Sequence, residues 1–494
     1  MAKTYWDRMK PRQIRLAQEQ KLIWFLRERL LPGSPFYRDL LKEAGVDPRS
    51  IRTLADFRKL PFTCKADISP TPDDPQRPFR LVLQPPGGEG GKGGRGSLRR
   101  RWQRLVLGEK AYRRRISHGF NPTHLHFTTG RTSLPTPIFY TPSDLELMRE
   151  CGRRMSEVIG MSPEDRLINA FPFAPHLSFW MSFFACEANE TAALHTGGGR
   201  TLGSDRILDA MERLRGTALA GTPSYCYHLL RSAAGERRDL SSLKTVILGG
   251  ERAPAGMRLK MRDLAGQAGA EKLCVIGSYA FTEGRAAWME CREAAEKGES
   301  PGYHLYPDLE FIEVIDPDSG EPVDEGEEGE VVFTSLGWHG SALLRYRTGD
   351  VVKEGLAYEP CPHCGRTVPR LGPTMRRLSE YKEFQLTKLK GTLVDLNALY
   401  PLLSGHPGVQ EWQLVIRKRN DDPYDLDEFY LYVAPMEGFK EKALKSELEG
   451  LIRDELEVTP SKITFQGLDK LLERLGMETR TKELRIVDQR PEQH

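Results

Sequence analysis

The sequence contains no long hydrophobic run. Its most apolar stretch, residues 168–185, is broken by Pro172, Pro175 and His176, whereas a membrane span needs about 20 uninterrupted apolar residues. The residues after Met1 (Ala2, Lys3, Thr4, Tyr5, Trp6, Asp7) carry no apolar signal-peptide core. Cysteine is scarce, at eight in 494 residues, too few for a disulfide scaffold and consistent with a reducing compartment. Charge of one sign is missing too: Lys and Arg number 72 against 69 Asp and Glu, a net +3, which raises no field suited to nucleic acid. The expectation is a cytoplasmic protein with neither a nucleic-acid nor a membrane partner. The oligomeric state is left open, a homodimer being one arrangement the sequence allows.

What is present is ordinary globular material. Apolar residues make up 39% and the 46 glycines add about another 9%, the usual share for a soluble globular protein, and the length implies two or more domains. The apolar spacing of Leu16, Leu22, Ile23, Phe25, Leu26, Leu30 and Leu31 predicts a helix over residues 11–31, ended by Pro32 and Gly33. A shorter helix is expected over 36–44. Residues 85–96 are nearly all Gly, Pro and charge and cannot bury a core. The basic run Arg99, Arg100, Arg101, Trp102, Gln103, Arg104 follows. The plain reading of 85–104 is a flexible basic insertion at the surface; the sharper one is a flap that closes over phosphates.

From 127 to 377 short apolar strands ending in glycine alternate with helical stretches, as in residues 218–221, 245–250 and 273–278. This is the βα unit of an α/β sheet, whose ligands bind at the carboxyl ends of the strands. Residues 311–316 and 329–334 predict an antiparallel hairpin. After Arg377 the pattern restarts with strands at 412–416 and 428–433 and a helix over 440–456. The fold expected is α/β: a large N-terminal domain, residues 1–377, built of α/β subdomains, plus a small mobile α+β domain, residues 378–494.

Several short motifs carry chemistry. Phe127-Thr128-Thr129-Gly130-Arg131-Thr132-Ser133-Leu134 is a hydroxyl- and glycine-rich loop able to wrap donors around phosphate oxygens. Thr282-Glu283, after Tyr279 and Ala280, suits an α-phosphate and its Mg²⁺. Asp350, on the Thr348-Gly349 turn, suits a ribose diol. Lys482, far downstream, could neutralise charge that develops on phosphorus. Each alone reads as an ordinary turn or a solvated lysine; their order is what raises the case.

Those motifs, with Leu60-Pro61-Phe62-Thr63-Cys64-Lys65, Gly221-Thr222-Pro223-Ser224-Tyr225, Gly249-Gly250-Glu251, Leu344-Arg345-Tyr346-Arg347-Thr348-Gly349-Asp350 and Arg485-Ile486-Val487-Asp488, resemble the phenylacetate–CoA ligases of the adenylate-forming superfamily. The resemblance covers nearly the whole chain except 85–118. It implies a two-step ligase: a carboxylic acid, aromatic by analogy, is activated by ATP with Mg²⁺ as an acyl-adenylate, with AMP as the nucleotide product, and is then passed to CoA. It also implies that Tyr279 and Gly249, Gly250 and Glu251 flank adenine. Thr128, Thr129, Gly130, Arg131 and Thr132 would hold phosphates, with Thr282 on the α-phosphate and Glu283 on Mg²⁺. Asp350 would hold the ribose, Arg377 would sit at the hinge, and Lys482 would assist adenylation.

The chain departs from the family's pattern where Ser133 and Leu134 stand for Gly and Lys, where Ala280 stands for Gly, and where Ser379 stands for the hinge Asp. Losing Gly limits backbone approach to phosphate and losing Lys removes a cation. Two alternatives therefore stay open: adenylation with transfer to an amine or a carrier-protein thiol, and a catalytically impaired homologue that only binds its ligands.

Two further groups stand out. Cys361-Pro362-His363-Cys364 has the spacing that lets two thiolates reach one Zn²⁺, and Cys291 and His304 complete a Cys₃His set; a pair of free thiols on a turn is the plainer reading. Phe171, His176 and Trp180, with Tyr225, could line a pocket for a flat acid or could be core packing.

Overall fold

A computed structural model describes residues 5–85, 102, 104–128, 135–251, 253, 255–378, 387–389, 392–394, 396, 399–418, 427–456, 458–476 and 484–490. It is a mixture of helices and strands that divides into two compact units. One comprises Met1–Asp165, Phe173–Ala193 and Ser278–Met375; the other comprises Arg166–Pro172, Leu194–Gly277 and Arg376–His494.

The first unit opens with the helix Pro11–Phe25, which buries Ile14, Gln18, Leu22 and Phe25. The helix predicted to reach residue 31 does so with a change of pitch: Leu26–Leu30 forms a π turn before Leu31–Gly33. Ser34 caps the helix Pro35–Glu43 by accepting the Tyr37 N–H. The helix Pro142–Ile159 starts on a capping box, Thr141 with Asp144, and stops at left-handed Gly160. Its Gly152 lets the helix Leu177–Ala188 approach closely, since a Cβ there would lie 2.5 Å from the Ala185 Cα. The predicted hairpin is an antiparallel pair, Glu310–Ile315 with Gly329–Ser335, and the strand Tyr346–Val352 joins it through Phe333 and Val332.

In the second unit the parallel strands Arg166–Asn169, Ala218–Gly221, Thr245–Leu248 and the start of Cys274–Ala280 stand side by side. Ala218–Gly221 and Thr245–Leu248 are buried at every residue, as expected where helices cover both faces. Helices Pro223–Gly235 and Ala255–Gln267 supply Leu229, Leu230, Met257 and Met261 to the core around Leu219 and Val246.

Beyond residue 376 a second core forms around Trp412, Leu414, Phe429, Leu431, Leu444 and Leu448. Its sheet runs Lys462–Phe465, Asp427–Pro435, Val409–Lys418, Ile486–Asp488. The last strand is parallel to Val409–Lys418; the sequence had marked Ile486 to Asp488 only as a motif. No described helix is long and apolar enough to cross a membrane.

Candidate active site and cysteine–histidine cluster

In the first unit, chemistry gathers where the Thr282–Gly284 turn meets the strand carrying Tyr346 and Asp350. The strand Cys274–Ala280 delivers Tyr279, and Thr282–Gly284 forms a single 3₁₀ turn closed by left-handed Arg285. The Tyr279 hydroxyl donates to Asp350 Oδ2 at 2.8 Å. The Tyr346 hydroxyl donates to Glu283 Oε1 at 2.9 Å. Glu283, Asp350 and Tyr279 are all buried, so the two carboxylates meet little competing water.

Asp350 is held by its own turn. Its N–H donates to Thr348 Oγ1 at 3.0 Å, Thr348 Oγ1 donates to the Val331 carbonyl, and the Gly349 N–H donates to Glu330 Oε1. Gly349 sits at φ +71°, where a side chain would be strained. The strand is also clasped from the 60–65 segment: Thr63 donates its N–H to the Arg345 carbonyl and accepts the Arg347 N–H on its own carbonyl.

The loop that begins at Thr128 follows the strand His124–Phe127, which pairs with Pro137–Tyr140. Thr128 is buried; its N–H donates to the Thr136 carbonyl, and its Oγ1 accepts the Thr136 N–H. Thr129, Gly130, Arg131, Thr132, Ser133 and Leu134 lie outside the described residues, as do Lys482 and Ser379.

His176 and Trp180 belong to the same unit. His176 Nδ1 lies 3.0 Å from the Phe127 carbonyl, which ties the helix Leu177–Ala188 to the strand that feeds Thr128. Trp180 packs edge-on to His124 at 5.0 Å. A partly buried chain that no sequence pattern indicated runs beside them. His124 Nε2 lies 2.9 Å from His126 Nε2, and His126 Nδ1 lies 2.8 Å from the Tyr140 hydroxyl. Burial, with His124 and His176 nearby, pushes His126 down to about 3, so it bridges as a neutral ring. Burial raises the Tyr140 hydroxyl, against the opposing charge of Arg285 and with smaller upward pushes from Asp144 and Glu283.

Arg285 was also missed. It is fully buried over Trp338 and donates to Ser335 Oγ at 2.9 Å. Its Nε and Nη1 meet no hydrogen-bond partner among the described residues.

In the second unit, Gly249 donates its N–H to the Gly221 carbonyl, and Gly250 turns the chain at φ +82°. Glu251 Oε2 accepts from Ser224 Oγ at 2.7 Å, so the strand tips at 221 and 248 share one polar cluster. Phe171 and Tyr225 are buried here. The Tyr225 hydroxyl is 3.2 Å from Ser204 Oγ and lies against Gly199, where a Cβ would stand 2.6 Å from it. Arg377 ends the short strand Met375–Arg377 and is exposed.

Cys291, His304, Cys361 and Cys364 come together in the first unit, all buried, with ligand atoms within 4.8 Å of one another. Cys291 and Cys361 sulfurs are 3.9 Å apart and Cys364 Sγ is 3.3 Å from His304 Nε2. Tetrahedral zinc with bonds of about 2.3 Å would set sulfurs about 3.8 Å apart. His304 Nδ1 is 3.1 Å from the Met289 carbonyl, an outer partner that leaves Nε2 facing the sulfurs. His363, the competing ligand, instead meets Glu299 at 3.2 Å.

The first unit thus holds a buried Tyr279–Asp350 pair and a Tyr346–Glu283 pair, and the second a parallel sheet with polar strand tips. The family model described as "AMP-binding enzyme" matches residues 63–338, and the chain belongs to that family. The phenylacetate-coenzyme A ligase of Thermus thermophilus is 29% identical over 437 residues, spanning 87% of this chain and 83% of that protein. The Escherichia coli enzyme of the same name is 24% identical, spanning 74% of this chain and 70% of that protein. Among solved structures, 2-hydroxyisobutyryl-CoA ligase in its postadenylation state matches with a TM-score of 0.73 at 20% identity, covering 98% of this chain and 91% of that one. That likeness supports the adenylate-forming fold, and the resemblance drawn from the motifs stands.

Proposed function

We propose that this protein is an ATP-dependent acid–thiol ligase that activates a carboxylic acid, aromatic by analogy, as its acyl-adenylate and transfers the acyl group to CoA. The observation that carries the reading is the pairing of Tyr279 with Asp350 beside that of Tyr346 with Glu283, in a family member whose named relatives are coenzyme A ligases.

In the first half-reaction the substrate carboxylate attacks the α-phosphorus and pyrophosphate leaves. In the second, a thiolate attacks the acyl carbon and AMP leaves. Asp350, already oriented by Tyr279 and the Thr348 turn, accepts from the ribose hydroxyls. Gly249, Gly250, Glu251 and Tyr279 flank adenine. Thr282 donates to the α-phosphate, and Glu283, steadied by Tyr346, is the carboxylate that would hold Mg²⁺; the ion supplies charge neutralisation on the phosphates. Thr128, Thr129, Gly130, Arg131 and Thr132 are the proposed phosphate-facing residues, with Arg131 the cation in a loop that lacks the usual lysine. Phe171, His176, Trp180 and Tyr225 are proposed to contact the acid. Lys482 serves adenylation, and Arg377 opens the hinge of a mobile 378–494 segment. Cys291, His304, Cys361 and Cys364 are proposed as a closed structural Zn²⁺ site, whose ion would supply only a cross-link between segments.

The departures at Ser133 and Leu134 favour, as second reading, a homologue that binds nucleotide but turns over poorly. The decisive experiment incubates the protein with ATP, Mg²⁺, CoA and a panel of aryl and alkyl acids, with pyrophosphate and AMP as readouts. At least one acid is expected to release both. Binding of ATP by calorimetry without release supports the second reading; neither binding nor release defeats both. Adenylate that forms but is never discharged by CoA redirects the acceptor to an amine or a carrier protein.

A further inference from the structure

We propose that Trp102 and residues 104–115 form a peripheral docking surface for an anionic membrane. Residues 102 and 104–107 are helical, and Trp102, Leu105 and Val106 fall at i, i+3 and i+4, one face of a helix. Among the described residues that face lies open: Trp102 is 64% exposed, Leu105 84% and Val106 58%. Three large apolar side chains in a row exposed to this degree stand apart from singly scattered surface apolar residues, which need no explanation.

The next helix, Glu109–Phe120, is anchored. Tyr112 is buried, Phe120 stacks on His339 at 5.0 Å, and His339 Nδ1–H donates to the Gly119 carbonyl at 2.8 Å. Lys110, Arg113 and Arg114, again at i, i+3 and i+4, are all exposed, as is Arg115. Residues 104–115 thus hold five cations (Arg104, Lys110, Arg113, Arg114 and Arg115) against the single acid Glu109, in a chain whose total charge is only +3.

Charge complementarity selects the occupant. A neutral protein face would cover the apolar stripe and leave the cations unused, and a nucleic acid would use the cations and leave Trp102, Leu105 and Val106 in water. An anionic bilayer uses both: the apolar face enters the headgroup boundary with the indole at its polar edge, while the arginines meet lipid phosphates. The sequence-based expectation of no membrane partner rested on spanning segments and on whole-chain charge, and neither reports a local amphipathic surface.

The test is co-sedimentation of the full chain with vesicles of phosphatidylcholine alone and of phosphatidylcholine mixed with phosphatidylglycerol. Wild type is expected to pellet with the mixed vesicles and to be released by salt. The triple variant Trp102→Ser, Leu105→Ser, Val106→Ser and the variant Arg113→Gln, Arg114→Gln are each expected to partition at least about tenfold less. Both sets of side chains are exposed, and circular dichroism checks that the variants stay folded. Failure of wild type to bind mixed vesicles overturns the proposal. So does undiminished vesicle binding by the triple variant, which leaves only nonspecific charge. So does a dimer in sedimentation velocity that the triple variant abolishes, which assigns the face to a second copy.

Discussion

Tyr279 shows how one side chain can be tested apart from its neighbours. Its hydroxyl gives Asp350 a fixed acceptor geometry, and a hydrogen bond to a charged group contributes about 1.5–3 kcal/mol. Tyr279→Phe keeps the ring stacked on Trp288 and removes only the donor. KM for ATP is expected to rise about tenfold while KM for the acid stays within about twofold; equal rises in both would remove Asp350 from the nucleotide. Glu310 poses a different question. It is buried, its Oε1 accepts from Trp288 Nε1 at 2.8 Å and from the Tyr306 N–H at 2.6 Å, and burial raises its pKa to about 8. Because the folded pKa lies above the unfolded one, the group's contribution is complete below the ordinary carboxylate range and is lost as pH rises through about 8. Glu310→Gln keeps an acceptor for both donors and cannot ionise. Denaturant melts are expected to show near-equal stability at low pH and a gain for the variant on the order of 2–4 kcal/mol above pH ~8. A parallel pH profile would place the titration elsewhere.

At the scale of elements, much was legible because periodicity and turn chemistry act locally. The buried strands at 218–221 and 245–248 and the hairpin at 310–335 announce themselves by apolar runs bounded by turn residues. Cys291, His304, Cys361 and Cys364 were legible as a set through residue type and the Cys361–Cys364 spacing, and the fold brings these remote segments together. Pairings such as Tyr346 with Glu283, or the chain His124–His126–Tyr140, were not legible, because a polar residue inside a strand carries no mark of which distant atom it will meet. Arg285 is the extreme case: an arginine after Gly284 reads as surface, yet it is fully buried. The cysteine cluster makes a prediction at this scale. His304 sits on the strand Tyr303–His304, which pairs with Arg370–Leu371 and with Met289, so a bound ion would pin these short strands to the knuckle. Elemental analysis is expected to find one zinc per chain. Cys364→Ser is expected to lose it and about 3 kcal/mol or more of stability, and a strong chelator should lower Tm of the wild type without affecting the variant. A metal-free wild type as stable as the purified protein would refute the site.

For the whole molecule, the C-terminal residues raise the question of how two half-reactions share one chain. Within the second unit, the helix Leu399–Gly405 meets Ala255–Gln267 backbone to backbone: a Cβ on Gly256 would stand 2.6 Å from the Gly405 Cα and 2.8 Å from the Ser404 carbonyl oxygen. Lys260 donates to the Val409 carbonyl, and burial lowers its pKa against the opposing pull of Glu411. Glu411 and Arg485, both buried, pair at 2.7 Å. Releasing this packing would cost Lys260 its bond to the Val409 carbonyl, while Glu411 and Arg485 stay paired within the C-terminal sheet. In the proposed reading residues 378–494 are mobile, and a placement that swings them away would give up this contact. Gly256→Val blocks the contact by steric overlap with backbone that cannot swing aside, while leaving every proposed ligand-binding side chain in place. Acid-dependent pyrophosphate release in single turnover and thioester formation from preformed adenylate are therefore expected to respond unequally, their ratio changing at least about fivefold, with Tm lowered by only a few degrees. An equal fall in both half-reactions would show that the contact merely stabilises the fold, and no change in either would show that neither half-reaction depends on it.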